Sequence, residues 1–133
     1  MFLGYQIYNG GSMSIQFKHV RDFFNTNNGG VTVAVDLGDS NLSTLNIDES
    51  INTVKVGVAI CSEKDSFQKK VGRELSTSRL KTLDLKVTKV SKSKLPSGNI
   101  LSIVVLESDT IYLKFTQSSK AGNFRLDSVS AIS

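Results

Sequence analysis

The sequence has very few of the residues from which disulfides, metal sites and catalytic centres are usually built. Its 133 residues include one cysteine, one histidine, one proline and no tryptophan. The single cysteine, Cys61, cannot form an internal disulfide, which fits a reducing compartment. One histidine and one cysteine are also too few for the usual zinc ligand sets. We expect no metal, no cofactor and no enzymatic activity, because these residues cannot supply a nucleophile, a base and an orienting group.

Long apolar runs are missing as well. No segment approaches the ~20 apolar residues of a membrane-spanning helix, and Met1 to Tyr8 is too short, and lacks the basic start, for a signal peptide. Met13 follows a turn-like stretch, residues 9–12, and offers a second start for translation. We predict a single domain over residues 1–133, with residues 1–12 as a candidate dispensable extension.

What the sequence does have is an ordinary globular composition with a mild excess of positive charge. Hydrophobic residues make up 39% of the chain and charged residues 21%, and the formal net charge is +4. This length and composition are sufficient for a real hydrophobic core. The positive charge favours an anionic partner without identifying one.

The strongest local signals lie between Gly57 and Arg79, where a predicted strand runs into a basic helix. Ser62 is a good N-cap residue, and Asp65 three positions later gives an acidic variant of the capping box. These signals predict one principal basic helix over about residues 62–82, packed on a mainly antiparallel β-sheet. The expected fold class is therefore α+β.

The predicted helix has one distinctive face and one glycine that needs an explanation. Phe67, Val71 and Leu75 recur at helical spacing and form a narrow apolar stripe. Glycine inside a helix costs roughly 1 kcal/mol against alanine, so Gly72 indicates that something approaches the helix backbone closely. That neighbour is another element of the same core, a second copy of the chain or a ligand.

Much of the remaining sequence alternates between apolar and polar residues, as β-strands do. Ile15 to Phe24 is an exception, where helical spacing favours a short helix because the alternation breaks at His19. Residues 91–99 are basic and hold the proline, which predicts a loop. Ile100 to Leu106 is expected to be a central strand buried on both faces, within an antiparallel meander after the helix. The predicted strands are Phe2 to Tyr8, Val31 to Leu37, Thr53 to Cys61, Leu83 to Val90, Ile100 to Leu106, Thr110 to Thr116 and Asn123 to Ile132.

The candidate binding residues are basic, polar and aromatic side chains on the helix and in a late loop and strand. A solvated basic face is one interpretation, and phosphate recognition, for which arginine supplies a planar fork, is the other. Arg79 borders the apolar stripe, so we expect it to be partly buried and to need an acidic side chain or a phosphate as acceptor. Phe124 is either a core residue or a ring that stacks on a base. The candidate ligand-binding set is Lys69, Arg73, Arg79, Asn123, Phe124 and Arg125.

Two residues with reactive side chains are interpreted as structural. His19 lies between Lys18 and Arg21 in a basic stretch, which favours a surface residue over a general base. Cys61 precedes a predicted helix N-terminus, where the helix dipole favours a thiolate. No second histidine stands ready to form a nucleophile pair, so Cys61 is interpreted as a small structural residue.

One pattern in this region resembles a known family. It reads A-x-C-x-x-x-D-x-F-x-x-x-x-G-R-x-x-x-x-x-R, and it is similar to the small bacteriophage anti-Thoeris proteins that sequester cyclic ADP-ribose signals. The match spans residues 59–79 and no more of the chain. The residues that form it are Ala59, Cys61, Asp65, Phe67, Gly72, Arg73 and Arg79.

The resemblance implies a non-enzymatic nucleotide sponge that silences an immune signal in the host cytoplasm. Such a protein is a compact homo-oligomer that binds a cyclic ADP-ribose-type or cyclic oligonucleotide signal at its subunit interfaces. Its arginines grip the pyrophosphate, and Arg73 is the arginine that the motif carries over. The aromatic residue that stacks on adenine is not placed by the motif. Sequestration without turnover also needs a preorganised, largely enclosed pocket.

Two other classes of function stay open on the sequence. A nucleic-acid-binding or host-protein-inhibiting phage protein would use the basic helix, and its binding to DNA would weaken steeply with salt. A β-rich virion or structural component would bind no small ligand and would form large assemblies.

Overall fold

The structure confirms the α+β fold class, because its described part is mostly antiparallel sheet with one α-helix. It is a computed structural model and describes residues 15–20, 29–61, 68–118 and 123–131. Within these ranges the elements are β1 (Ile15–Val20), β2 (Gly30–Asp36), a 3-10 turn (Leu42–Thr44), β3 (Ser50–Ile51), β4 (Lys55–Cys61), α1 (Lys69–Ser78), β5 (Lys81–Thr82), β6 (Leu85–Lys94), β7 (Ile100–Glu107), β8 (Ile111–Ser118) and β9 (Arg125–Ala131).

The chain divides into two compact units. The first is drawn from Met1–Asp39 and Thr53–Thr82, and the second from Ser40–Asn52 and Leu83–Ser133. The sheet of the first unit has the strand order β1-β2-β4-β5, and α1 packs on it. The second unit holds a five-stranded sheet in the order β9-β8-β7-β6-β3. The single domain over residues 1–133 stays a prediction.

Alternation along β2 and β4 separates a face of small residues from a face of valines. On the first face, Thr32 and Ala34 of β2 lie opposite Ala59 and Gly57 of β4. Because no large side chain projects from this face, a helix backbone can approach it closely. The opposite face of β2 carries the buried residues Val31, Val33 and Val35.

Two glycines set the distance between α1 and the sheet. A Cβ on Gly57 would collide with the carbonyl oxygen of Ser76 and would come within 2.9 Å of the Leu80 nitrogen. A Cβ on Gly72 would collide with the Thr32 hydroxyl oxygen. Ser76 and Thr32 are fully buried, and the Ser76 hydroxyl donates to the Gly72 carbonyl at 2.7 Å. The element that approaches Gly72 closely, as the sequence predicted, is therefore the sheet of the same unit.

The helix is shorter than predicted. It does not cover residues 62–82, because Gln68 at its N-cap has an extended backbone and Arg79 is its C-cap. The chain then enters β5, which pairs with β4 and so satisfies its backbone by cross-strand hydrogen bonds instead of helical ones. The predicted capping box of Ser62 and Asp65 lies outside the described residues.

The apolar stripe of α1 does not face the sheet. Val71 and Leu75 are 44% and 41% exposed, whereas the buried positions of the helix are Gly72 and Ser76. Phe67, the third residue of the stripe, lies outside the described residues. Val71 and Leu75 are turned away from the sheet for a steric reason. At the short distance between helix and sheet, only small helix residues fit against the small residues of β2 and β4.

Ile15–Val20 forms strand β1 and not the short helix that the sequence favours. β1 pairs antiparallel with β2 and places His19 opposite Thr32. The alternation therefore continues through His19, whose Nδ1 lies 2.8 Å from the Thr32 Oγ1 on the same face. A polar residue fits this face because its partner lies on the neighbouring strand, which local sequence does not reveal. Residues 21–24 of the predicted helix lie outside the described residues.

The second unit contains the predicted antiparallel meander. Strands β6, β7, β8 and β9 pair in succession, and the short β3 pairs with the free edge of β6. The predicted alternation along β8 is confirmed, and it contributes several of the largest side chains of this core. The buried residues of β8 are Ile111, Leu113 and Phe115.

Two predictions for the second unit are wrong in part. β6 runs on to Lys94 and pairs with β7, which leaves only a turn at residues 95–99 of the loop predicted at 91–99. Cross-strand hydrogen bonds join backbone groups, so they extend a strand into polar sequence. β7 is central as predicted, but Ile100 at its start is 46% exposed. Full burial is confined to Val104, Val105 and Leu106.

We expect Gly57→Ala to lower the free energy of unfolding by about 2–3 kcal/mol, since the added Cβ meets backbone atoms of α1. The Cβ of Gly72→Ala meets the Thr32 side chain instead. Double-mutant cycles with Thr32→Ala should therefore give favourable coupling for Gly72→Ala and none for Gly57→Ala. Urea unfolding measures the free energy of unfolding of each single and double variant. An undiminished unfolding free energy in Gly57→Ala would contradict the packing of α1.

Candidate functional site

Two basic side chains of α1 lie on the flank of the helix that faces β1. Lys69 and Arg73 are four residues apart, so they share one flank, and both are exposed. Arg73 follows Gly72, which packs on Thr32, and Thr32 is hydrogen-bonded to His19 on β1. Both basic side chains are near enough for their charges to act on the His19 ring. We call His19, Lys69 and Arg73 the basic cluster.

The charges in the basic cluster act on His19. Burial lowers the pKa of His19 below its ordinary value, and the positive charges of Lys69 and Arg73 lower it further. His19 is therefore neutral at neutral pH while its two neighbours are charged. The first turn of α1 carries no acidic side chain that would offset them. An anion at this place would meet two cations and one group able to become a third.

β1 adds an aromatic side chain on the same side of the sheet. Phe17 precedes His19 by two residues, so the alternation of the strand places both on the face against which α1 packs. Phe17 is half-buried. Sequence reasoning missed it as a site residue because it assigned this stretch to a helix. The signal that finds it is the register of β1, since the pairing of His19 with Thr32 fixes the side on which Phe17 lies.

Arg79 lies apart from the other two basic residues of the candidate set. It is the C-cap of α1, roughly 120° around the helix from Arg73. The expectation that Arg79 is partly buried is wrong, because the residue is exposed. It does have an acceptor, since its guanidinium donates from Nη1 to the Val58 carbonyl oxygen at 3.2 Å. This hydrogen bond ties the end of α1 to β4 and gives Arg79 a structural role.

The other three residues of the candidate set lie in the second unit. Asn123, Phe124 and Arg125 are consecutive at the start of β9, where Arg125 pairs with Thr116 of β8. Asn123 and Arg125 are exposed and Phe124 is half-buried. The structure thus brings Lys69 and Arg73 together within one unit and places these three residues in the other. Their role in binding stays a prediction.

The second unit also carries an open groove of about 870 Å³. Three carboxylates line it, those of Asp84, Glu107 and Asp109, against a single lysine, Lys86. That lysine lies 3.5 Å from the carboxylate of Asp48. The excess of negative charge disfavours a phosphate, so the size of this groove does not make it the anion site. None of its lining residues belongs to the candidate set.

The remaining reactive side chain, Cys61, ends β4 opposite Gly30 and is half-buried. In the part of the chain that the structure describes, no group of three or more His, Cys, Asp or Glu residues is placed to hold a metal ion. Among these same residues, no helix combines the length and the apolar character that a membrane crossing requires.

Comparisons of the chain with protein-family models, with curated proteins and with solved structures give no significant match. The interpretation of the basic cluster therefore depends on its own geometry and charge. The similarity to the phage sponge proteins stays a prediction.

We expect the protein to lose stability in mild acid through His19. Because its pKa is lowered in the folded state, the unfolded chain takes up this proton first as pH falls below about 6.5. The stabilising contribution is complete above that pH and is lost as pH falls toward the lowered value. His19→Asn keeps a hydrogen-bonding side chain but does not titrate. Urea unfolding in a phosphate-free buffer should show a smaller acid loss for this variant, and parallel pH profiles would contradict the prediction.

Proposed function

We propose that this protein binds a small phosphate-bearing nucleotide and holds it intact, as a sponge for an immune signal does. The observation that most directly supports this proposal is the basic cluster, in which Lys69 and Arg73 lie on one flank of α1 beside His19. The ligand is of the cyclic ADP-ribose type or a cyclic oligonucleotide. In this proposal the protein is made by a bacteriophage and acts in the host cytoplasm.

The two cations suit a phosphodiester in different ways. Arg73 supplies a planar guanidinium fork that meets two phosphate oxygens at once, and Lys69 supplies a compact charge at the first position of α1. The positive end of the helix dipole adds to the charge of Lys69 at this end of the helix. A pyrophosphate or a pair of phosphodiesters carries two negative charges, which matches the two side chains.

A nucleotide also needs a surface for its base. Phe17 lies on the same side of the sheet as the basic cluster, two residues from His19. Stacking on an aromatic ring tolerates any base and contributes about 1–3 kcal/mol. In this proposal Phe17 joins Phe124 as a candidate for the stacking residue.

The exposed apolar flank of α1 supports the proposed homo-oligomer. Val71 and Leu75 are more than two-fifths exposed on the helix that carries Lys69 and Arg73. Contact with a second copy would remove these side chains from water, at about 25 cal/mol per Å² of apolar surface.

Binding without cleavage fits the chemistry of the cluster. The chain has one histidine, whose ring is hydrogen-bonded to Thr32 and is acted on by the positive charges of Lys69 and Arg73. The chain's one cysteine, Cys61, is outside the cluster, at the end of β4 beyond Ala59. Holding a phosphate requires only the positive charge and donors that this site has.

A second candidate function is binding to nucleic acid or to a host protein. The observation in its favour is a run of exposed lysines along β6, namely Lys86, Lys89, Lys92 and Lys94. Binding to DNA through such a surface would lose affinity steeply as salt rises, because it releases counterions. Binding of one small nucleotide in an enclosed site would depend on salt far less.

We expect Arg73→Ala to weaken nucleotide binding about tenfold to a hundredfold, since a hydrogen bond to a charged group contributes roughly 1.5–3 kcal/mol. The matched control is Lys81→Ala, which removes one exposed positive charge from β5, at the other end of the strand order from β1. Native mass spectrometry and calorimetry against cyclic ADP-ribose isomers and cyclic dinucleotides measure stoichiometry and affinity. Equal binding by both variants, or no bound nucleotide on the wild-type protein, contradicts the proposal.

A further inference from the structure

The proposed function assigns binding roles to Lys69 and Arg73 of the basic cluster and none to its third member, His19. His19 lies not on the short helix that the sequence favoured but near the end of a paired strand. Its side chain is held at a fixed place, because Nδ1 is 2.8 Å from the hydroxyl of Thr32, which is itself fully buried under Gly72. The imidazole is thus held in position on the sheet beside the two cations of α1.

An anion would change the balance of charge at this place. In the unliganded protein the neutral ring of His19 is favoured by burial first, and then because a protonated ring would be a third positive charge beside Lys69 and Arg73. A phosphate between the cations would bring negative charge to the same spot. The protonated ring would then be stabilised by attraction, as a histidine beside a carboxylate is.

We propose that His19 is an anion-binding residue of the basic cluster and takes up one proton from solvent when a phosphate-bearing ligand binds. This inference rests on the proposed function, whose binding site it completes. Binding and protonation then favour each other by the same factor, because the linkage between two ligands is reciprocal. Affinity for the ligand should rise as pH falls, by up to about tenfold per pH unit at the steepest point.

Among the residues that the structure describes, the other titratable groups on this face of the sheet lie far from His19. On its own face of the sheet, Asp36 is opposite Ile15, roughly 13 Å away along β1. Cys61 lies on the same face two strands away, at roughly 12 Å. Glu74, the one carboxylate of α1, is exposed and about 100° around the helix from Arg73. Within the described ranges, the charged side chains that act on His19 are Lys69 and Arg73, and Thr32 is a hydrogen-bond partner of its ring.

The test uses the fact that His19 is the chain's single histidine. In the tag-free protein the Hε1 proton of its ring gives a single proton NMR signal, whose pH titration reports the midpoint directly. Sodium sulfate serves as the probe, because it is a divalent oxyanion that does not titrate above about pH 2, and sodium chloride at equal ionic strength serves as the reference. We expect a midpoint below about 6.5 in chloride and an upward shift in sulfate.

Arg73→Ala separates an anion-binding role from a structural one. Removing this cation should raise the midpoint in chloride and abolish most of the further rise in sulfate, whereas Lys81→Ala should change neither. Nucleotide that binds the wild-type protein should shift the midpoint in the same direction as sulfate. His19→Asn should still bind that nucleotide, but with an affinity that no longer rises in mild acid.

The outcomes distinguish this inference from the proposed function. If a nucleotide binds and the midpoint of His19 stays where it is, the inference is overturned and the sponge stands. If sulfate shifts the midpoint and no nucleotide of the panel binds, the anion site stands and the proposed function fails. A midpoint that moves with neither probe overturns the inference outright.

Discussion

The close approach of α1 to its sheet is the constraint on which the rest of the first unit depends. Gly57 on β4 and Gly72 on the helix leave no room for a methyl group between the two backbones. Helix and sheet can meet at this distance only where both surfaces are made of small residues. The rotation of α1 about its own axis is therefore fixed by steric exclusion and not by the burial of its larger apolar side chains.

Every feature of the candidate site follows from that rotation. With Gly72 and Ser76 turned to the sheet, one flank of α1 carries Lys69 and Arg73 toward β1, and the other leaves Val71 and Leu75 in solvent. The basic flank meets His19, whose position is fixed by its hydrogen bond to Thr32. The packing of α1 thus produces both the charged flank of the proposed anion site and the exposed apolar flank of the proposed contact with a second copy.

The sequence predicted the fold class, the meander of the second unit and the alternation of β8. It also predicted a close neighbour at Gly72, because glycine inside a helix is costly unless the space is used. Of the site, it predicted Lys69 and Arg73 on one helix. It misplaced His19 because a polar residue breaks local alternation unless its partner is known, and that partner, Thr32, lies 13 positions away.

What the sequence determined by itself is local: the strands with strong alternation, the presence of a basic helix and the small number of cysteine and histidine residues. These depend on residues that are neighbours along the chain, so their pattern is visible in one dimension. The tertiary structure alone decided which face of the helix is buried, where the helix ends and which side chains surround His19. Each of these depends on atoms that strand pairing and the steric fit of Gly57 and Gly72 against the facing element bring together, and the spacing of residues within a single segment does not reveal them.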